Sequence, residues 1–331
     1  MKAVVSKQPG GPETLEMVEL DSPKPGPKQV VLEIKAIGVN FPDSLIIVDR
    51  YQFKPDRPFS PGGEVAGVVK EVGSEVTSLK PGDRVIGSCG WGGMREEIAI
   101  EADRCLAIPD EMPFDEASAF ILTYGTSYYG LKRRGDPKPG ETLFILGAAG
   151  GVGVAAIELG KAMGLKVIAA CSSQEKVDFC LSKGADVGLI YPMGDLDRDQ
   201  QKELSNQIKE VSGGGVDIIY DAVGGAYAEP SLRALNWEGR YLVIGFPAGI
   251  PKIPLNLTLL KSCDIRGVFW GAWVRQFPGE YETDVQELFD FYKDSKIKPH
   301  VSKTFPLDQS GDAIQHLMDR KATGKVVVLT E

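Results

Sequence analysis

The apolar run Leu143–Phe–Ile–Leu146 leads into Gly147–Ala–Ala–Gly150–Gly151–Val–Gly153, and then into the small-residue stretch Val154–Ala–Ala–Ile157. Strand-like residues, closely spaced glycines and a helical pattern in that order describe a tight strand-to-helix turn. Such a turn suits a dinucleotide pyrophosphate. Backbone N–H groups at a helix N-terminus bind anions, and glycines keep side chains out of the way. In this reading Gly147 makes the tight turn. Gly150 and Gly151, with Val152 beside them, let the backbone approach the phosphates. Gly153 lets the helix pack closely on the strand. The spacing is G-x-x-G-x-x-G rather than G-x-G-x-x-G, so a plain glycine-rich loop is the other reading of the same residues.

The surrounding pattern favours the dinucleotide. Strands are expected over Thr142–Leu146, Lys166–Ala170, Val187–Ile190, Asp217–Tyr220 and Gly239–Ile244. Helices are expected over Val154–Met163, Glu175–Ser182 and Leu204–Val211. This alternation implies parallel βαβ units and a doubly wound sheet. Residues 1–110 read differently. Apolar runs such as Val30–Ile37 and Val65–Val72 are separated by Pro/Gly turns at Pro23–Pro27 and Lys80–Arg84, which describes a small barrel-like β domain. Helical periodicity marks Phe114–Leu122, Thr126–Arg133, Asp284–Tyr292 and Asp308–Met318, and Lys325–Leu329 is a terminal strand. The fold class is α/β with two domains. No long linker separates them, so a cleft between tightly joined domains is expected.

A formal net charge of −9 disfavours nucleic acid and anionic membrane as partners, since both need a basic surface. No window of 18 apolar residues is present, and Met1–Lys7 runs straight into strand-like sequence without an export or organelle signal. The five cysteines are scattered and form no C-x-x-C pair, which fits free thiols in a reducing cytoplasm.

The second expected strand ends at Cys171–Ser172–Ser173–Gln174–Glu175–Lys176. NAD-binding folds hold the ribose 2′-OH with an acid at this strand end. Here the strand ends in small hydroxyls followed by a lysine, which is what a 2′-phosphate needs, so NADPH is expected over NADH. Ser172 and Ser173 also suit a helix cap, and both roles are compatible. Catalytic zinc needs three ligands from Cys, His or carboxylate. With Cys89, Cys105 and only two histidines to draw on, no metal is expected. Asn40, in Ala36–Ile–Gly–Val–Asn40–Phe–Pro–Asp43, offers amide donors and an acceptor for a nicotinamide carboxamide or a substrate carbonyl. An Asn at such a place also forms turns. Tyr51 is a candidate proton or hydrogen-bond donor, or else an aromatic packed on its loop.

Several blocks in order resemble the zinc-independent quinone oxidoreductase branch of the medium-chain dehydrogenase/reductase superfamily. They are Gly38–Val–Asn40–Phe–Pro–Asp43, Pro61–Gly–Gly–Glu64 through Gly73, Pro81–Gly–Asp–Arg–Val85, the glycine turn, Asp221–Ala–Val–Gly–Gly225, Gly239–Phe246, Phe269–Trp–Gly271 and Lys321–Val328. The resemblance implies a GroES-like β-barrel domain from residues 1–124 and 266–331, and a Rossmann domain from 125–265. It implies NADPH with its nicotinamide in the cleft, and a quinone or α,β-unsaturated carbonyl as hydride acceptor. It places Asn40 and Thr126 at the nicotinamide, and Lys176 and Tyr191 at the adenosine phosphate end. Val223, Gly245, Phe246, Phe269, Trp270 and Lys321 complete the cofactor set, and a homodimer through the Rossmann sheet edge is expected. Zinc-dependent relatives carry a Cys in the segment around Asn40 and a His at the position of Gly63. Many members have Arg-x-Gly-x-Tyr where this chain reads Ile47–Val–Asp49–Arg–Tyr51. Tyr51 keeps its place, and the departure bears on substrate preference. An enoyl or enone acyl-thioester reductase, a zinc alcohol dehydrogenase and a non-catalytic NADPH-binding protein are the alternatives.

The Lys176 assignment has a direct test. Lys176→Ala should raise the Kd for NADPH roughly tenfold or more, the loss of a charge-assisted contact, and leave NADH binding nearly unchanged. Titration of both nucleotides checks this, and equal weakening contradicts a 2′-phosphate contact.

Overall fold

Every residue of Thr142–Leu146 is buried, so this strand has no polar face to show to water. A strand covered on both faces belongs in the middle of a parallel sheet. In the computed structural model, which describes residues 1–331, it lies there. The six strands run in the spatial order Val187–Ile190, Lys166–Cys171, Thr142–Leu146, Val216–Asp221, Leu235–Val243, Asp264–Gly267. All pairings are parallel. The order reverses direction between Thr142–Leu146 and Val216–Asp221. Ligands bind outside the carboxyl ends of strands at such a switch point.

The glycine turn closes there. Gly147 has φ +74°, which favours glycine, and an added Cβ would lie 2.9 Å from Val223. Helix Gly151–Ala162 begins after Gly150. The role expected of Gly153 falls to another residue. A Cβ on Gly153 would meet the carbonyl oxygens of Gly147 at 2.5 Å and Ala148 at 2.6 Å, so Gly153 makes room for the turn itself. Close packing of helix on sheet is at Gly160, where a Cβ would lie 2.9 Å from Leu143 and 3.1 Å from Val167.

Five of the six strands fall where the alternation predicts them, with the fifth starting earlier, at Leu235. The sixth, Asp264–Gly267, is not foreseen by periodicity. It is a short edge strand with three exposed residues, so it carries charges instead of an apolar pattern.

Chain packing gives two units: Met1–Leu122 with Pro299–Glu331, and Thr123–Lys298. The return to the first unit therefore comes later than residue 266. Two features hold the intervening residues to the second unit. Asp264–Gly267 extends its sheet, and Asp284, on helix Pro278–Lys293, accepts bonds from Arg133 Nε at 2.8 Å and Lys132 Nζ at 3.1 Å. Asp284 is buried, so this helix end cannot leave without stranding a carboxylate.

The first unit is built on the long strand Gln29–Val39. One edge pairs along its length with Glu64–Val72. The other edge is shared. Glu97–Glu101 takes residues 29–33, and the C-terminal strand Lys325–Leu329 takes residues 36–39. Register shifts within the Glu64–Val72 pairing bend the long strand, as barrel-like sheets require. Arg84–Ser88 and Cys105–Ala107 extend the sheet on one side, and Val301–Pro306 on the other. The pairing of Val326 with Val39 sets Lys325 beside the end of the long strand. No helix of the protein is long and apolar enough to cross a membrane.

Candidate active site

The long strand of the first unit ends at Asn40, the N-cap of the short helix Phe41–Ile46. An N-cap Asn ordinarily turns its side chain onto the third N–H of its helix. Here the Asp43 N–H goes to the Asn40 carbonyl oxygen at 3.0 Å instead, and the Asn40 amide turns inward. Its Oδ1 accepts from Lys325 Nζ at 2.6 Å. Its Nδ2 donates to the Gly38 carbonyl at 3.1 Å and to Glu64 Oε2 at 3.3 Å. Lys325 Nζ also donates to the Val39 carbonyl at 3.1 Å and lies 3.7 Å from Glu64. The other Glu64 oxygen accepts the Leu122 N–H at 2.9 Å. Asp43 accepts the N–H groups of Asn40 at 2.7 Å and Gly62 at 3.0 Å.

All four side chains are at most 5% exposed, which makes this a sealed polar cluster. Burial shifts each ionisable member toward its neutral form. Burial holds Glu64 above the usual carboxylate range, with Lys325 opposing, and holds Lys325 below the usual lysine value. Asp43 is pushed up to about 6, again by burial, against its two N–H partners. Cys89, whose thiol donates to the Gly62 carbonyl at 3.3 Å, is pushed up to about 12 by burial and the Asp43 charge. Tyr51 is half-buried against the core of this unit. Its pKa is raised by burial and by Asp43, and its hydroxyl stays a donor.

In the second unit the expected cofactor residues gather at the switch point. The first turn of helix Gly151–Ala162, with Gly151 and Val152, presents N–H groups that no helical turn precedes. An added Cβ on Gly150 would meet only the Gly147 carbonyl, at 3.5 Å. Ser127 donates to the Val152 carbonyl at 2.9 Å and pairs with the Tyr220 hydroxyl at 2.8 Å, which ties helix Ile121–Tyr128, and so Thr126, to this turn. The Trp270 ring lies against the same helix, 2.8 Å from where a Gly125 Cβ would stand. Phe269 beside it is 53% exposed.

Asp221 organises the neighbouring loops. Its Oδ1 accepts from the N–H groups of Val223 and Gly224, both at 2.8 Å, and its Oδ2 from the Tyr241 hydroxyl at 2.5 Å. Gly225 N–H to the Gly249 carbonyl and Ala248 N–H to the Val223 carbonyl then pin the Val223 loop to the segment carrying Gly245 and Phe246. At the other edge Ser173 caps helix Gln174–Ser182, its Oγ accepting the Lys176 N–H at 3.4 Å. Tyr191 follows the third strand, bonds through its N–H to the Cys171 carbonyl, and packs its ring 4.9 Å from Tyr227. Ser172, Ser173, Lys176 and Tyr191 thus sit around one strand end. Lys321 belongs to the first unit, and its exposed ammonium pairs with Asp319 at 2.8 Å.

Sequence reasoning missed Lys325, Asp43 and Glu64 as members of the Asn40 cluster, and missed the Asp221–Tyr241 pair. The available signals were weak: an acid three residues after an N-cap Asn, and a lysine opening an otherwise apolar terminal strand. No group of three or more His, Cys, Asp or Glu side chains is placed to hold a metal ion.

Residues 26–110 match the family model described as alcohol dehydrogenase GroES-like domain, and residues 151–290 the one described as zinc-binding dehydrogenase. The chain is 37% identical to quinone oxidoreductase-like protein 2 homolog of Nematostella vectensis, covering 100% of this chain and 89% of that protein. Among solved structures, Escherichia coli quinone oxidoreductase complexed with NADPH superposes with a TM-score of 0.90 at 30% identity, over 99% of this chain and 100% of that one. A probable oxidoreductase from Mycobacterium abscessus superposes with a TM-score of 0.88 at 36% identity, over 99% and 98% of the two chains.

The Asp43 environment predicts a pH signature. Its folded pKa of about 6 lies above its ordinary 3.8, so folding favours the protonated form. The stabilising contribution is complete below pH 4 and is lost as pH rises through 6. Its full span is about 3 kcal/mol. Denaturant unfolding of wild type and Asp43→Asn across this range should show wild type losing stability relative to the variant between roughly pH 4 and 6. A constant difference contradicts the raised pKa.

Proposed function

The chain belongs to the medium-chain dehydrogenase/reductase superfamily, and from that membership we propose that it is an NADPH-dependent reductase of quinones or other α,β-unsaturated carbonyl compounds that works without zinc. The observation that carries this reading is the buried Lys325 ammonium among Asn40, Glu64 and Asp43. A catalytic zinc needs three free donors. Here Glu64 already faces an ammonium, both Asp43 oxygens accept backbone N–H groups, and the Cys89 thiol is held protonated. These residues do not fit a zinc ion.

The cofactor residues do fit NADPH. The Ser173 oxygen is occupied by the Lys176 N–H, which leaves its hydroxyl proton free to donate beside the Lys176 side chain. The open turn at Gly150 to Val152 offers backbone donors for the pyrophosphate. NADPH, when bound, supplies the hydride. Quinone oxidoreductase of Escherichia coli, complexed with NADPH, supports the same choice.

Tyr51 is the donor in this proposal. Its raised pKa keeps the hydroxyl protonated, and it makes no hydrogen bond to another protein group. It is available to a carbonyl oxygen on which negative charge develops. Solvent supplies the proton. Asn40, with its amide engaged on both ends, shapes the strand end from which the loop to Tyr51 departs; it is a positioning residue. Steady-state NADPH oxidation with a panel of quinones and acyclic enones tests the reading. Turnover without added metal is expected, and Tyr51→Phe should lower kcat/KM about ten- to hundredfold. Tight NADPH binding with no oxidation across the panel, or a requirement for stoichiometric zinc, overturns it.

We also propose a homodimer. Strand Asp264–Gly267 pairs on one edge only, and an open edge invites the same edge of a second copy across a two-fold axis. The residues leading to it expose Leu255, Leu259 and Leu260 at 75%, 81% and 66%. Light scattering should give twice the 35.8 kDa chain mass, and Leu259→Glu with Leu260→Glu should reduce it to one chain. A monomeric wild type overturns this.

A further inference from the structure

Three aromatic rings form a row on the first unit. Tyr51 and Phe53 have ring centroids 6.0 Å apart with their planes inclined at 59°, and Phe53 and Trp91 lie 6.4 Å apart at 37°. Tyr51 packs against the barrel core, and exposure then rises outward: Phe53 is 37% and Trp91 40% exposed.

Both supporting loops are braced. Arg57 closes the loop that carries Tyr51 and Phe53, with Nη1 bonding Asp49 at 2.8 Å and Nη2 the Ile47 carbonyl at 2.9 Å. Trp91 stands on a turn between Gly90 and Gly92, both at positive φ. Three main-chain bonds fasten that turn: Gly90 to Gly63 at 3.0 Å, Gly92 to Ser60 at 2.7 Å and Gly93 to Gly62 at 2.8 Å. Gly62 is in turn held by Asp43 at 3.0 Å, so the row is anchored to the sealed polar cluster. Large aromatic faces on braced loops present apolar area without an ordering cost at binding.

We infer that Phe53 and Trp91, next to the Tyr51 donor, form an aromatic ledge against which the flat conjugated ring of the acceptor packs, so that this chain selects cyclic quinones over acyclic enones. The inference deepens the proposed function and rests on it for the identity of the ligand. Electron-poor quinone rings suit the electron-rich faces of phenyl and indole, whereas an acyclic enone has no ring to pack there.

The test is a binding measurement on the full chain with NADP⁺ present, so that no hydride transfer occurs. The probes are 1,4-naphthoquinone and the acyclic 4-hexen-3-one, read by calorimetry. Wild type should prefer naphthoquinone. Trp91→Ala and Phe53→Ala should each weaken it about three- to tenfold, with Trp91→Phe restoring most of the loss. Trp237→Ala, at an exposed tryptophan in the second unit, should change nothing. Absence of a preference in wild type, or unchanged naphthoquinone binding in both alanine variants, overturns the ledge. Thermal unfolding of each variant at the wild-type temperature shows that the fold is intact. Ledge-dependent binding without NADPH oxidation by any acceptor overturns the reductase reading alone. Oxidation that ignores the ledge variants overturns the ledge alone.

Discussion

An ammonium sealed from water has to be surrounded by acceptors, and Lys325 finds them at the end of a strand far away in the chain. Asn40, the Val39 carbonyl and Glu64 all turn toward it, across a separation of 285 residues from Asn40. Buried charges are costly when a partner is missing, so each member constrains the others. The C-terminal strand must pair with residues 36–39 for Lys325 to arrive, and Asn40 must turn inward for Lys325 to be satisfied. The exit of the chain into helix Phe41–Ile46 follows, with Asp43 holding Gly62 on the other side. The loops that bear Tyr51 and Trp91 both hang from this arrangement.

The second unit uses one carboxylate in a comparable way. Asp221 ends a buried strand, and burial raises its pKa while Tyr241 and two backbone N–H groups compensate. The compensation bends the backbone into the Val223–Gly225 turn, which is latched to the Phe246–Gly249 turn. Gly147 must then be glycine, because Val223 fills the space its side chain would need. A polar group inside the sheet thus sets the shape of the loops at its carboxyl end. Parallel sheets place ligands there because every strand delivers its following loop to that edge.

Much of this was legible in the residues. The alternation of apolar runs and amphipathic stretches has only one common solution, a parallel sheet with crossover helices, and five of its strands were visible. The turn Gly147–Gly153 and the helix cap at Ser173 could be read because their chemistry is local: a turn and a cap are made by neighbours in sequence. The edge strand Asp264–Gly267 could not be read this way, since an edge carries charge and no apolar period. Nor could the late return of the chain to the first unit, which depends on Asp284 finding Lys132 and Arg133.

Asn40 shows most clearly where local reading stops. An Asn in that setting presents an amide that a ligand or a turn can use, and its residue type says nothing about which way the amide points. Lys325 decides that, through a strand pairing made at the other end of the chain. The same holds for Tyr51, Phe53 and Trp91, which form a row only because the Ser60–Gly63 segment holds the Trp91 turn against the Arg57-clamped loop. The sequence alone determined the α/β class, the glycine turn between strand and helix and the strand end beside Lys176, because short-range sterics and periodicity govern them. Tertiary structure alone decided which polar groups are buried together and which rings stay exposed, because those depend on contacts between residues that the chain order keeps far apart.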